Sequence, residues 1–520
     1  MKKAKLLIIG GLLLTLVGCK SENKSEGSQE TSAIPNIVFI MTDDHAVQAL
    51  SCYDGRYNQT PNIDRIAKEG VMFTNSFVTN SICAPSRATM LTGKFTHING
   101  QVDNRVKFDS TQWTFPKALQ NAGYQTALVG KWHLKSQPIG FDYWNVLSGQ
   151  GDYYNPDFIG KDGRKREEGY ATDIITNKAI NWLKNRKTES PFCLLVHHKA
   201  PHRTWMPDTT DLYLFDSVKF PVPDTYFDAY ENRQAAKEQK MSIIEDMDVV
   251  YDLKMLDAEE EIITKYRKSF QRQYDRMNPQ QKAAWDKKYN ALINDFKSKA
   301  YTGKALALWK YQRYMEDYLA CINSVDRNVG RLLDYLDENN LGENTIVVYT
   351  SDQGFYLGEH GWFDKRFMYE ESFRTPLLMR LPAHLKGQNG QVDQLVQNID
   401  YAPTFLDYAG INSPTAVQGK SLRPLINGKN DQWRDALYYH YYEFPNEHMV
   451  KRHYGIRTDN YKLIHFYNDI DVWELYDLKK DPSEMNNLYG QDEYHAITKS
   501  LKEKLSALQE KYQDTDRSTY

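Results

Sequence analysis

Several short segments of this 520-residue sequence carry side chains that do chemistry. Cys83 stands in Cys83-Ala84-Pro85-Ser86-Arg87-Ala88-Thr89-Met90-Leu91-Thr92-Gly93, which reads as a polar, proline-containing turn and not as a place for a core thiol. Asp43-Asp44 and Asp352 each follow an apolar run by a few residues, as do Lys131, His133 and His202. Carboxylates can hold a cation, lysines can neutralise an anion, and imidazoles move protons near neutral pH. Singly, each has a plainer reading. Asp43-Asp44 alone would be a strand-end turn or a helix cap, and a lysine before an aromatic is usually just exposed. The elements that position these residues decide between the readings.

Residues 36–41 (NIVFIM), 126–129, 192–196 and 345–349 are short apolar runs of buried-strand type. Helix-like stretches at 62–68, 115–122 and 172–184 separate them. Strands alternating with helices predict an α/β fold with a mostly parallel sheet sandwiched by helices. Ligands bind beyond the carboxyl ends of such strands, and Asp43-Asp44, Lys131, His133, His202 and Asp352 all fall there. Between 223 and 310 the chain is charged and almost free of Gly and Pro. Ile243, Met247 and Val250, then Tyr289, Leu292 and Phe296, predict an amphipathic helical insertion, read as a solvated scaffold ahead of a substrate role. Tyr314, Tyr318, Cys321, Val325 and Val329 continue as a core-facing helical stripe. From 426 to 520, short aromatic strands at 436–443, 454–458, 461–467 and 473–478 and a helix at 496–511 predict a smaller C-terminal subdomain of antiparallel β-sheet plus helix.

The Cys83 segment resembles the first signature of the sulfatase family, and Gly123-Tyr124-Gln125-Thr126 with Gly130-Lys131-Trp132-His133 resembles the second. Ala200-Pro201-His202, Ser351-Asp352-Gln353-Gly354, Gly358-Glu359-His360-Gly361 and Asp481-Pro482-Ser483-Glu484 extend the likeness over residues 34–425 and into the last helix. The resemblance implies the formylglycine-dependent branch of the alkaline phosphatase-like fold. It implies that a sulfatase-maturing enzyme oxidises Cys83 to formylglycine, whose hydrate attacks sulfur and whose second hydroxyl then allows sulfate to leave. Ser86 and Arg87 would form part of the maturation signal, and Arg87 would hydrogen-bond the hydrate. Asp43, Asp44, Asp352 and Gln353 would hold a cation together with the modified Cys83. An all-oxygen set favours Ca²⁺, with Mg²⁺ second, over zinc. Many relatives carry Asn or His where this chain has Gln353. Lys131 and Lys365 would neutralise sulfate, His133 would serve as base, and His202 would protonate the leaving sugar oxygen. Asp364 and Arg366 flank Lys365, and the segment through Met368-Tyr369-Glu370 looks like the branch acting on N-acetylglucosamine 6-sulfate. There Asp364 and Arg366 would grip sugar hydroxyls, helped by His448 or His453 from the C-terminal part. His97, His197, His198, His360 and His440 are read as structural.

The chain opens with Lys2, Lys3 and Lys5, an apolar run over 6–17, and Leu16-Val17-Gly18-Cys19. This reads as a lipoprotein signal over 1–18, lipidation of Cys19, and a flexible polar tether over 19–33. The expected location is the periplasm or surface of a Gram-negative bacterium, held to the membrane through the lipid alone. Net charge is −3 with 65 basic and 68 acidic residues, which gives nucleic acid no basic field to bind. Among five cysteines, no close pair suggests a disulfide, and Cys193 and Cys321 read as core residues. The expected partner is a sulfated glycan, best an exo-cleaved N-acetylglucosamine 6-sulfate in glycosaminoglycan or mucin. Sulfated iduronate, galactose or N-sulfoglucosamine, and a phosphoester, are the alternatives. The two-zinc, His-rich site common among phosphoesterases is missing from the pattern.

Overall fold

The apolar runs become the middle of one sheet. The computed structural model describes residues 1, 34–187, 189–256, 266–387 and 390–515. Within them a ten-stranded sheet runs Gly390–Val392, Val71–Phe73, Leu377–Arg380, Thr345–Ser351, Asn36–Thr42, Phe192–His197, Gln125–Gly130, Tyr143–Leu147, Asp157–Gly160, Gly163–Arg166. The five central strands, Thr345–Ser351 to Tyr143–Leu147, are mutually parallel, and antiparallel pairs flank them on both sides. Each central strand is apolar on both faces because both faces are covered. Val38 and Ile40 enter one core with Val129, Val196 and Val347, while Ile37, Phe39 and Met41 enter the other with Leu128, Leu195 and Val348.

Helices Pro61–Glu69, Ala171–Asn185 and the 36-residue Gly303–Glu338 pack on the first core. The predicted stripe of Tyr314, Tyr318, Cys321, Val325 and Val329 is 0–1% exposed there. Cys83–Thr92, Phe115–Asn121 and Tyr401–Tyr408 pack on the second core. The leader, the tether and Cys19 lie outside the described residues. Among the described residues, no helix is long and apolar enough to cross a membrane.

The insertion departs from its expected helical form. Pro279–Lys299 is a long helix, started by a capping box in which Asn278 and Gln281 bond each other's backbone N–H groups. Residues 241–256, by contrast, are consecutive turns. Asp and Ser side chains there take the backbone N–H groups that a helix would need: Asp246 accepts from Ser242, and Asp248 from Val250 and Tyr251. The apolar spacing marks burial and not helix, since Ile243, Met247 and Val250 are 0–2% exposed. The segment is core, not solvated scaffold. Its Asp252 pairs with Arg203 at 2.6 Å, beside the predicted site residue His202.

The last strands, Ala436–Tyr441, His453–Thr458, Tyr461–Phe466 and Val472–Asp477, form an antiparallel sheet in that order. Tyr438, Ile456 and Leu463 pack under the helix His495–Tyr512. Tyr439, Tyr441 and Ile464 instead join the core of Phe363, Phe367 and Tyr369. The small sheet thereby backs the loop that carries Lys365.

Candidate active site

Parallel strands bring residues far apart in sequence to one edge. Asp43 and Asp44 follow the central strand Asn36–Thr42, Lys131 follows its strand, and Asp352 follows Thr345–Ser351. Cys83 Sγ lies 3.3 Å from Asp43 Oδ1 and 4.0 Å from Lys131 Nζ. Lys131 Nζ pairs with Asp43 Oδ2, and Lys365 Nζ lies 2.5 Å from Asp44 Oδ1. Arg87 donates from Nε to Asp352 Oδ2 at 2.9 Å and from Nη1 to the Lys131 carbonyl at 2.9 Å. Thus Cys83, Arg87, Lys131, Lys365 and the three aspartates form one contact network.

Cys83 does not sit in a polar turn. It is the first residue of the helix Cys83–Thr92, every residue of which is buried, and the thiol is 1% exposed. The motif's polar residues are buried because they bond one another: Ser86 Oγ donates to the Asp352 carbonyl and accepts from Asn398 Nδ2 at 2.8 Å. Burial pushes the Cys83 thiol up, against the opposing charge of Lys365. The unmodified side chain is therefore a neutral thiol, a weak nucleophile.

The acidic cluster fits a divalent cation. Oxygens of Asp43, Asp44 and Asp352 lie within 4.8 Å of one another, and all three residues are 0% exposed. Asp44 Oδ2 and Gln353 Oε1 are buried without a hydrogen-bond partner, while Gln353 Nε2 donates to Asp44 Oδ1. Burial pushes Asp44 up to about 7, opposed by Lys365 and aided by Asp352 and Asp364. Three buried carboxylates this close repel one another even with Lys131, Lys365 and Arg87 beside them, and a divalent cation relieves that repulsion. Oxygen donors with orphaned lone pairs suit a hard cation, and Asp43, Cys83 and His202 form a second grouping on its rim.

His202 Nδ1 bonds the Arg203 carbonyl, which leaves Nε2 3.8 Å from Asp44 Oδ2. Burial, then the charges of Lys131 and Lys365, hold this imidazole well below its ordinary value. Burial with Lys131 and Arg87 does the same to His133, whose Nδ1 has no partner. Burial thus favours the neutral form of both rings. Lys131 is itself pushed down by burial, whereas at Lys365 the charge of Asp44 outweighs burial and holds it up.

Beside this cluster Asp364 pairs with Arg366, and His448 Nε2 lies 3.1 Å from Asp364 Oδ2. Asp364 (φ 75°) and Arg366 (φ 103°) both adopt left-handed backbone, as do Asp44 (φ 69°), His133 (φ 57°) and His448 (φ 63°). Non-glycine residues rarely do so, and such residues cluster where packing imposes a functional geometry. The alternation aims Lys365 at Asp44 and its two neighbours at each other. His453, expected beside the sugar, is not available to one. It is 0% exposed, its Nε2 accepts from Met368 N at 3.1 Å and its Nδ1 donates to the Lys451 carbonyl at 2.8 Å. It is a strand histidine that pins the Lys365 loop, and burial pushes it down to about 3.

Sequence reasoning missed residues that hold others in place. Asn398 bonds Ser86 Oγ and accepts from Thr79 N at 3.1 Å, and Tyr318 donates to the Asp44 carbonyl at 2.7 Å. His197 Nδ1 lies 3.1 Å from the Lys131 carbonyl. The apolar runs mark where strands end, but nothing local marks a polar residue that reaches another element. An 820 Å³ groove lined by Tyr230, Arg233, Trp473 and Tyr489 lies elsewhere.

Comparison with known proteins follows this geometry. The family model described as Sulfatase matches residues 35–411, and that for the C-terminal region of N-sulphoglucosamine sulphohydrolase matches 358–511. A protein of Bacteroides thetaiotaomicron named N-acetylglucosamine-6-O-sulfatase is 52% identical, over 97% of this chain and 90% of its own. An arylsulfatase of Clostridium perfringens is 27% identical, over 93% of this chain and 97% of its own. A solved structure in complex with its substrate D-glucosamine-2-N,6-O-disulfate superposes with a TM-score of 0.90 at 53% identity, covering 93% of this chain and 99% of that one.

Proposed function

The chain belongs to the sulfatase family, and from that membership we propose that it removes the 6-O-sulfate from a terminal glucosamine, N-acetylated or N-sulfated, of a sulfated glycan. The observation that carries this reading is the pairing of two neighbouring groups of residues. Cys83, Asp43, Asp44, Asp352, Lys131 and Lys365 form a site for an anion and a cation, and Asp364, Arg366 and His448 stand directly beside it. The near-complete relative named for the 6-O-sulfate reaction and the superposing complex with a 6-O-sulfated glucosamine support the choice of sugar.

Sulfatases are metal-dependent and use formylglycine. Modified Cys83 would supply a geminal diol, and a cation held by Asp43, Asp44, Asp352 and Gln353, which we take as calcium from its oxygen-only ligands, would supply charge against the sulfate oxygens. The rest of the work falls to ordinary side chains. Lys131, paired with Asp43, and Lys365, paired with Asp44, neutralise the sulfate. Arg87, held between Asp352 and the Lys131 carbonyl, orients the nucleophile. His133, neutral with a bare ring nitrogen, accepts a proton. His202 has its Nδ1 hydrogen committed to the Arg203 carbonyl, so its Nε2 can donate only from the charged ring. The approach of anionic sulfate favours that form, and the proton goes to the departing sugar oxygen. Asp364 and Arg366 read the 3- and 4-hydroxyls, which implies action at a chain end.

The leader and Cys19 support export and a lipid anchor, and the Cys83 motif supports a maturing enzyme as partner. The test is matured protein against a panel of sulfated monosaccharides. Release of sulfate from N-acetylglucosamine 6-sulfate ahead of sulfated galactose or iduronate is expected, and Cys83→Ala should release none while unfolding as the parent does. Preference for another sugar would overturn the substrate, and full activity of Cys83→Ala would overturn the chemistry.

A further inference from the structure

Glu443 is 1% exposed, and neither of its carboxylate oxygens has a hydrogen-bond partner. It lies two residues past Tyr441, whose buried hydroxyl is also unpartnered. Tyr439 and Tyr441 face the core of the Lys365 loop, and Tyr439 donates to the Arg366 carbonyl at 2.6 Å. The Glu443 carboxylate is near enough to Arg366 to favour its charge, and to Arg105 likewise. Residue 104, next to that arginine, accepts from Ala84 N at 3.0 Å through its side chain, so the same loop borders Cys83. Arg366 Nε is buried without a partner too. Three buried, unsatisfied polar groups thus belong to the strand end and the loop that border the site. A carboxylate left unpaired out of water is costly, and such groups are normally satisfied by something.

Resting on the glucosamine reading, we infer that Glu443 is a specificity-determining residue: it accepts a hydrogen bond from the hydroxyl edge of the sugar beside Arg366 and excludes substrates that carry a second sulfate there. The charge balance supports this. Asp364 already pairs with Arg366, and Glu443 adds a second negative charge at the same edge, so a further anion there meets two carboxylates, whereas a hydroxyl donor satisfies Glu443 directly. An acceptor-only group admits a hydroxyl and repels its sulfate ester, and such repulsion sets specificity as effectively as attraction.

The test is steady-state kinetics of matured full-length protein on N-acetylglucosamine 6-sulfate and on N-acetylglucosamine 3,6-disulfate. Wild type should favour the monosulfate. Glu443→Gln keeps size and removes charge, and it should shift the ratio of kcat/KM toward the disulfate by tenfold or more, whereas Glu443→Asp should keep the preference. A structural role would lower both rates together and leave the ratio unmoved, which would overturn the inference. Tyr441→Phe is the second variant. It should raise KM on the monosulfate several-fold with kcat held, and an unchanged KM would count against the cluster as a sugar edge. Wild type that cleaves an aryl sulfate but neither sugar would overturn the parent reading and this inference with it.

Discussion

Chemistry and recognition divide between adjacent residues. Lys365 reaches Asp44, whereas Asp364 and Arg366 turn to each other and to His448. Charge-assisted hydrogen bonds to sugar hydroxyls contribute roughly 1.5–3 kcal/mol each. Asp364→Ala should therefore cost about tenfold to a few hundredfold in kcat/KM on the glucosamine sulfate and little on an aryl sulfate, which has no hydroxyls to lose. Lys365→Ala should damage both, and equal losses for Asp364→Ala would assign it to the reacting centre. The cation gives a second expectation at this scale. Asp44→Asn or Asp352→Asn should each lower activity well over tenfold and lower bound calcium, measured by metal analysis of the purified protein. Zinc in that analysis would contradict an oxygen-only site.

At the scale of elements, strand ends, one helix start and one loop meet, and polar ties hold them there. Asn398 follows the short strand Val396–Gln397, which pairs with Ser76–Phe77, and it joins Thr79 N to Ser86 Oγ. Asn398→Ala would leave a buried N–H unpaired, a loss of about 1–3 kcal/mol, and would free Ser86. Thermal unfolding should show a lower Tm, and turnover should fall on sugar and aryl sulfates alike, since Asn398 touches neither. The turns at 241–256 show why composition misled there. The apolar period correctly marked what is buried, but Asp246 and Asp248 capture the backbone locally, which periodicity does not register.

At the scale of the molecule, the end of the chain is tied back by ionic contacts. Asp514, just past the last helix, lies 2.6 Å from His440 Nδ1 and accepts from Tyr438 OH at 2.6 Å. Burial alone would push this carboxyl up. Its hydrogen bond with His440, then the charges of His440 and His97, outweigh that and hold it well below the usual carboxylate range. A depressed folded value means that the contribution is full above the unfolded carboxylate pKa of about 4 and is lost as pH falls through the folded value. Asp514→Asn should cost roughly 1–3 kcal/mol in urea unfolding at pH 7, with the gap narrowing as pH drops below about 4. A gap independent of pH would show that the carboxylate charge is not what ties the chain end.

The sequence by itself determined the α/β class, four of the five central strands within a residue or two, and the family, because apolar runs and contiguous signatures are local; the fifth, Tyr143–Leu147, alternates with half-buried residues and is not found that way. It also placed Asp43, Asp44, Lys131 and Asp352 together, since parallel strands share one carboxyl edge. Only the tertiary structure decided what depends on contacts between distant segments. Cys83 is buried because the surrounding polar groups satisfy one another. His448 faces Asp364 while His453 is consumed by Met368 and Lys451, though the one precedes and the other opens the same strand. Glu443 reads as the last residue of an aromatic strand at 436–443, whereas the strand ends at Tyr441 and the fold buries Glu443 within electrostatic reach of Arg366. Side-chain type and spacing state what a residue can do, but which partner satisfies it is set by packing across hundreds of residues.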